Sequence, residues 1–333
     1  MRYFCTYFDH NYLPFAVALH ASLTKHCSPF RLFVLALDDR CAGILRSLDL
    51  PGTSVVLLRD LEETDCELAG SKQTRSRIEY YYTCGPAFLQ YCLERFPEID
   101  LLTLIDADLY FFSNPEPIFR ELADASVGII EHRFSEKQYA LKRFGTYNVG
   151  WTSFRRDVNG LACLRWWRQK CIDWCYDKVE EGRFADQKYL DDFPVRFSRV
   201  QVIQHRGANL APWNLANFRL SESNGTIRVG EDPLIFFHFH GFKIVNPWLY
   251  NANVGRFRIA LPSLARRRIF RPYIRELKQI AIRVGFACSI REKSRGYSAV
   301  RRSARKVADL TLSLITGAYI LDWKRVERSY DVQ

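Results

Sequence analysis

The spacing of apolar positions changes period along the chain, and each change predicts an element. Residues Arg2 to Phe8 form a short apolar run that reads as a buried strand, and Asp9-His10-Asn11 reads as a turn. Positions Leu13, Val17, Ala21 and Thr24 then recur at helical spacing. The run Arg31 to Leu37 predicts a second strand, residues 40–48 a short helix, and the segment from Thr53 a third strand. Strand alternating with helix from the first residue predicts an α/β fold, a mostly parallel sheet with helices on both faces. A sheet covered on both faces makes its central strands continuously apolar, and Leu101 to Ile105 is such a run.

Farther along, residues 77–95 predict one or two helices interrupted at Gly85-Pro86, and a strand begins at Thr146. A long amphipathic helix follows, with the stripe Leu161, Leu164, Trp167, Cys171 and Trp174, then a short acidic helix near Phe184 to Phe193. A late strand starts at Ile235 and runs into a loop at Gly241. Beyond Gly255 the pattern becomes helical stripes. One is Tyr273, Leu277, Ile280 and Val284; the other is Val300, Ala304, Val307, Thr311, Leu314 and Ala318. The change sets a boundary near residue 255, with a body of residues 1–255 and a basic amphipathic helical extension of residues 256–333.

Charge sharpens that boundary. The chain of 333 residues carries a net charge of +11. Residues 1–255 hold 29 Lys+Arg against 31 Asp+Glu, whereas residues 256–333 hold 19 against 6. A neutral body with a basic appendage points to a docking element rather than to polyanion handling by the body. With 48% hydrophobic residues, disorder is excluded and a large core can be buried. The 10 cysteines include no Cys-x-x-Cys pair and are too sparse for a disulfide scaffold; Cys163, Cys171 and Cys175 read as one packed helix face beside Trp166, Trp167 and Trp174. The first residues lack the basic and apolar regions of a cleavable leader, and Val307 to Leu321 is too short to span a bilayer and contains Asp309. A cytoplasmic location is the expectation.

Candidate chemistry begins with Asp106-Ala107-Asp108. With 20 aspartates in the chain, about one Asp-x-Asp arises by chance, so placement decides its meaning. In open α/β sheets ligands sit beyond the carboxyl ends of strands, which is where this pair follows Leu101 to Ile105. Two carboxylates one residue apart can share a hard divalent cation and leave coordination sites open for phosphate oxygens and water. The second element is His238 to Lys243, where two imidazoles and an amine follow an apolar strand: an imidazole can complete the coordination of a manganese-like ion, and a lysine can reach a phosphate. Together these suit a nucleoside diphosphate leaving group, whose developing charge a cation and a lysine neutralise. No phosphate-cradling Gly-x-x-x-x-Gly-Lys-[Ser/Thr] loop, Gly-x-Gly-x-x-Gly turn or Gly-x-Ser-x-Gly elbow is present.

At these residues the chain resembles the glycosyltransferases with a GT-A-type nucleotide-diphospho-sugar fold, and within them family 8 and its bacterial relatives, over residues 1 to 250. Several ordered motifs carry the resemblance. The opening from Tyr7 to Leu23 is similar to the family's first strand and turn, which implies Tyr7, Asp9, Asn11 and Tyr12 around base and ribose. Leu104 to Pro115 looks like its metal motif, implying Asp106 and Asp108 as ligands of Mn2+ or Mg2+. Asn148 falls in the segment that lines the sugar pocket, and Asp186 and Gln187 in the one that contacts the transferred sugar, so these three are the implied catalytic residues. His238 to Lys243 resembles the closing His-x-x-Gly-x-x-Lys-Pro-Trp motif, with Gly241 in place, Lys243 one position early and Pro247-Trp248 late. The implied third ligand is therefore His238 or His240, and the implied phosphate contact is Lys243; Arg75 and Arg77, at a helix start, read either as further contacts to the diphosphate or as a solvated face.

The resemblance implies a metal-dependent hexosyl transfer from a nucleotide sugar, UDP being the family's usual carrier. It also implies a glycan or lipid-linked acceptor of surface polysaccharide or lipopolysaccharide synthesis, and retention of the anomeric configuration. An inverting reaction would instead need a carboxylate base, for which Asp186 is the candidate. Arg266, Arg267, Arg268, Arg271, Arg275 and Lys278, then Arg301, Arg302, Arg305 and Lys306, alternate with the C-terminal stripes. Helices of that kind lie on anionic leaflets, which would place the protein peripherally on the inner face of the membrane; packing on the body is the other reading. The competing class is a non-catalytic protein whose basic tail grips nucleic acid or membrane, although the body shows no nucleic-acid motif.

Overall fold

The computed structural model describes residues 1–284 and 311–322. A seven-stranded sheet carries the molecule: β1 (Arg2–Phe8), β2 (Phe30–Ala36), β3 (Thr53–Leu57), β4 (Leu101–Ile105), then, after β5 (Leu109–Phe111) has left to pair elsewhere, β6 (Val127–Glu131), β7 (Tyr147–Arg155) and β8 (Val200–Ile203). Their order is β3-β2-β1-β4-β7-β6-β8. All neighbours are parallel except β7, which runs antiparallel to both β4 and β6. The sheet is thus α/β and mostly parallel, as the alternating pattern predicts. Chain order reverses between β1 and β4, so a crevice opens beyond their carboxyl ends, at Asp9 and Asp106.

Smaller ladders complete the chain: β9 (Leu220–Ser223), β10 (Thr226–Val229) and β11 (Asp232–Pro233) form one, β12 (Phe236–His238) pairs with β5, and β13 (Lys243–Asn246), β14 (Leu249–Asn251) and β15 (Tyr319–Leu321) form another. Side chains of β1 alternate between the two apolar layers of the sheet, Phe4 entering one and Cys5 the other. The first layer holds helix Leu13–His26 and the strands toward the C-terminus; the second holds helices Arg77–Arg95 and Val158–Asp173. Arg77–Arg95 is one helix, with Pro86 inside it. A proline there costs about 3 kcal/mol, and burial of the whole stretch Thr83 to Leu89 offsets it. Gly85 is required for the close approach of Tyr7, whose ring would lie 3.1 Å from an added Cβ. The nine described cysteines are reduced and all but Cys66 are buried; Cys163, Cys171 and Cys175 pack in the layer of Trp167.

The described residues beyond Gly255 stay on the body. Ser263–Ala265, a π-helical segment at Arg266–Phe270 and Arg271–Val284 form one continuous helical stretch. Tyr273, Leu277 and Ile280 of its predicted stripe are buried in the same layer as Phe237, Phe239 and Tyr250, and Val284 packs at its edge. Tyr273 stacks on Phe239 with ring centroids 3.6 Å apart. This apolar face is therefore spent on the protein's own core and is closed to a membrane. Part of the basic excess is also used internally: Arg266 donates to the carbonyl of Tyr319 at 2.8 Å, Arg268 pairs with Glu222 at 2.9 Å and Lys278 with Asp322 at 3.0 Å. Arg267, Arg271 and Arg275 are exposed.

The second predicted stripe departs from expectation. Thr311 and Leu314 are exposed while Ala318 is buried, because the chain turns at Gly317, φ +63°, from helix into β15. Val300, Ala304, Val307, Cys288, Arg301, Arg302, Arg305 and Lys306 lie outside the described residues. Among the described residues no helix is long and apolar enough to cross a membrane.

Candidate active site

The Asp pair and the histidines, far apart in sequence, meet because β5 continues from Asp108 and pairs antiparallel with β12. Leu109 stands opposite His238, and the amide of Phe239 donates to the carbonyl of Asp108 at 2.9 Å. One ladder thus sets two motifs in register. Asp106 and Asp108 flank a turn closed by the amide of Leu109 on the carbonyl of Asp106 at 3.2 Å. His238 Nε2 lies 3.1 Å from Asp108 Oδ1 and 3.5 Å from Asp106 Oδ2. Asp108, His238 and His240 each present a ligand atom, all within 4.8 Å of one another.

Asn148 determines how His238 is oriented. A register shift where β6 meets β7 turns the start of β7 toward the site. The Asn148 Oδ1 accepts from the Gly150 amide at 3.2 Å, while Nδ2 donates to Gln187 Oε1 at 3.2 Å and to His132 Nε2 at 3.3 Å. With Oδ1 fixed as an acceptor, His238 Nδ1, 3.2 Å away, must be the donor, and Nε2 is left to face the carboxylates. An imidazole oriented in this way by a second polar group is the arrangement metal-ligating histidines adopt. Two carboxylates plus one or two imidazoles also form a hard donor set suited to Mn2+ or Mg2+. The residues fit such an ion.

Burial dominates the electrostatics. It pulls the His238 imidazole down, but the Asp108 and Asp106 carboxylates outweigh it and hold the ring above its ordinary pKa. Asp108 is raised by burial and lowered more by His238, for a net fall; Asp106, raised by burial and by Asp108 against the pull of His238, stays above the usual carboxylate range. Burial and the His238 charge bring His240 down to about 4, and burial brings His132 down to about 3. Asp186 is pushed up to about 8 by burial and by the charge of Asp106, and its Oδ2 is buried with no hydrogen-bond partner.

These groups face one cleft of about 540 Å³ beyond the carboxyl ends of β1 and β4. Of the residues expected from sequence, Tyr7, Asp9, Tyr12, Asp106, Asp108, Asn148, Asp186, Gln187, His238 and His240 line it. Asn11 stands behind Asp9, donating to its carboxylate through Nδ2 at 3.1 Å. Arg77 lies outside the lining, with its guanidinium 6.0 Å from the centroid of Tyr81, whose ring does line the cleft. Arg75 donates to the Ile172 carbonyl at 2.7 Å and packs on Tyr176. Lys243, on β13, is outside the lining.

Sequence reasoning missed several lining residues. His132 closes the Asn148 network, and Trp213, which donates to the His132 carbonyl at 2.8 Å, sets its ring edgewise to both His238 and His240, 5.1 and 5.5 Å away. Neither sits in a motif or a periodic stripe. Phe134, stacked on His132 with ring centroids 4.6 Å apart, and the Phe144–Phe184 pair also line the cleft, and Arg256 and Phe257 come from the region assigned to the basic extension.

No family model matches the chain. Among solved structures it is similar to mouse xyloside xylosyltransferase 1 in its apo form (13% identity, 72% of this chain and 98% of that one, TM-score 0.47). It is also similar to the galactosyltransferase LgtC with donor and acceptor sugar analogues (15% identity, 80% and 99%, TM-score 0.45). A third likeness is to the apo-form glycosyltransferase GlyE of Streptococcus pneumoniae TIGR4 (14% identity, 87% and 66%, TM-score 0.47). By sequence it is 33% identical over 261 residues to the uncharacterized protein YfnD of Bacillus subtilis (strain 168), which covers 78% of this chain and 83% of YfnD. The uncharacterized protein YfnF of the same organism is 36% identical over 252 residues, 73% of this chain and 82% of YfnF. With a third of its positions shared over most of both lengths, the chain belongs to the family of the Bacillus subtilis proteins YfnD and YfnF.

Proposed function

We propose that this protein is a metal-dependent glycosyltransferase of the GT-A type that moves a sugar from a nucleoside-diphosphate sugar, UDP being the expected carrier, to a glycan or lipid-linked acceptor with retention of configuration. The observation that carries this reading is the meeting of five separate sequence segments on one cleft: Tyr7 to Tyr12, Asp106 to Asp108, Asn148, Asp186-Gln187, and His238 to His240.

Each group has a role that follows from its surroundings. Asp106, Asp108 and His238 or His240 would hold a divalent cation, which when bound supplies positive charge to a departing diphosphate. Asn148 keeps His238 turned toward that position. Gln187 is held by Asn148 and by its own bond to the Phe144 carbonyl at 2.9 Å, so its orientation is fixed before any sugar arrives. The unpartnered Asp186 oxygen offers a hydrogen-bond partner for a sugar hydroxyl, and a cation held by Asp106 would relieve part of the upward shift of the Asp186 carboxyl, favouring the carboxylate that faces an anomeric carbon turning positive as the bond to phosphate breaks. Tyr7, Asp9 and Tyr12, at the end of β1 and in the turn after it, would receive ribose and base. Attachment to a membrane, with the stripe of Arg271–Val284 buried, would rest on Arg267, Arg271 and Arg275 meeting anionic headgroups.

The test is a melting-temperature screen of nucleoside diphosphates and nucleotide sugars with and without manganese. A manganese-dependent rise with one nucleotide, lost in Asp108→Ala, is the expected result. No rise with any nucleotide in a folded protein contradicts the reading.

A further inference from the structure

The cleft gathers carboxyl groups, an unpromising lining for a site that holds a diphosphate. Asp9, Asp106, Asp108, Asp177 and Asp186 all line it. Histidines apart, Arg256 is the one cation among the described residues of the lining. Its place is built rather than incidental. Arg256 sits in a short 3-10 turn, Val254–Phe257, bracketed by Asn253 and Arg258 at φ +61° and +56°. An asparagine tolerates that left-handed region better than most residues, and here its side chain has a second task. Asn253 Nδ2 donates to the carbonyl of His240 at 2.9 Å, tying the turn to the histidine loop.

Two other elements hold the same turn. Gln138, in the 3-10 segment Glu136–Phe144, donates to the Phe257 carbonyl at 3.4 Å, and the Phe257 ring packs against Trp213 at 6.2 Å. Behind it, Gly255 approaches the 311–316 segment so closely that an added Cβ would stand 3.0 Å from the Cα of Ser313. The amide of Leu261 donates to the Thr316 carbonyl at 2.9 Å, closing the same contact. The backbone is therefore fixed while the Arg256 side chain is exposed and able to reach into the cleft.

From this placement we infer that Arg256 binds the diphosphate of the donor, with the C-terminal segment 311–316 as the support that positions its turn. The inference rests on the glycosyl-transfer reading above and departs from what the family resemblance implies, a lysine in the histidine motif. A planar guanidinium suits the role, since its fork of donors matches two phosphate oxygens at once. Its neighbours supply the complement: cation ligands on one side, and on the other a turn that cannot drift.

The experiment is calorimetric titration of the full chain, with Mn2+ present, using UDP, GDP, ADP, CDP and dTDP. It compares wild type with Arg256→Gln, Arg256→Lys, Lys243→Gln and Arg258→Gln, the last removing the same charge two residues away. The matching nucleoside is followed by ligand-observed NMR, and melting curves check that each variant folds. For the diphosphate that binds wild type, Arg256→Gln should lose roughly ten- to a hundredfold in affinity, with the nucleoside unaffected, Arg258→Gln within about twofold of wild type and Arg256→Lys between the two. Equal loss for nucleoside and diphosphate overturns the inference. An unchanged Arg256→Gln, or a comparable loss in Lys243→Gln alone, overturns the inference and leaves the donor reading standing. If wild type binds none of the diphosphates, both fall together.

Discussion

Strands β1 to β4 and the strands that cross beyond them, β5, β7 and β12, are assembled by different rules. In the first group each strand pairs in parallel with a neighbour, and side chains such as Phe4, Phe33 and Leu104 disappear into one layer or the other. In the second, pairing is antiparallel and joins segments distant in the chain, and the side chains at the junctions are Asp108, Asn148 and His238. The parallel half gives its side chains to the two apolar layers; the crossing half also feeds them, through Phe111, Trp151 and Phe236, and in addition carries polar groups to the cleft. Burying Asp186 and the Asp–His cluster costs free energy that the apolar layers beneath must offset.

That contrast can be broken by one substitution on each side. Phe33→Ala, in the fully buried β2 position packed against the tilted ring of Phe96, should cost about 3–5 kcal/mol in denaturant unfolding while turnover per folded molecule is unchanged. Asp108→Asn should do the reverse, leaving the unfolding midpoint near wild type and lowering donor turnover by about 10²- to 10³-fold in steady-state assays. Loss of turnover per folded molecule in Phe33→Ala, or an active Asp108→Asn, would erase the distinction.

Smaller effects sharpen it. Asn148→Ala removes the group that turns His238 Nε2 toward the carboxylates, and manganese affinity by titration should fall about ten- to a hundredfold without a matching fall in stability. The Asp186 carboxyl, pushed up to about 8, binds a proton in the folded protein that the unfolded chain sheds near its ordinary pKa of about 4. Folded protein therefore holds more protons between those values, so stability falls as pH rises across that window and levels off above it. Asp186→Asn removes this dependence. In metal-free buffer its melting temperature should exceed that of wild type by an amount that grows between about pH 5 and pH 8, by a few degrees in all. A difference that does not change with pH would show that Asp186 is not held protonated.

The two halves also differ in how far they can be read from sequence. Helix Leu13–His26 and strand Leu101–Ile105 are legible to the residue, because their patterns are local and long enough to show a period. Strands of three residues, as β5 and β12 are, show no period, and nothing in the chain announces that one will pair with the other. The Asp pair and the histidine loop could be named from their positions after apolar runs, yet the ladder that unites them could not. Nor could the role of Asn148 as the group orienting His238, which exists only once β6 and β7 slip register. His132 and Trp213 belong to no stripe or motif, so geometry alone brings them in. Arg256 was hidden for another reason: it lies just past the change in composition, in the stretch where charge suggested an appendage and the fold returns the chain to the cleft.

The central claim is that Asp106, Asp108 and the histidines serve a nucleoside-diphosphate sugar. Its most direct test is to incubate the purified full chain with a panel of nucleotide sugars and quantify released nucleoside diphosphate, with manganese or with chelator, for wild type and Asp108→Asn. Release from one donor that requires manganese and vanishes in the variant is the predicted result. Release that persists in chelator or in Asp108→Asn, or none from any donor by a protein that melts cooperatively, would contradict it.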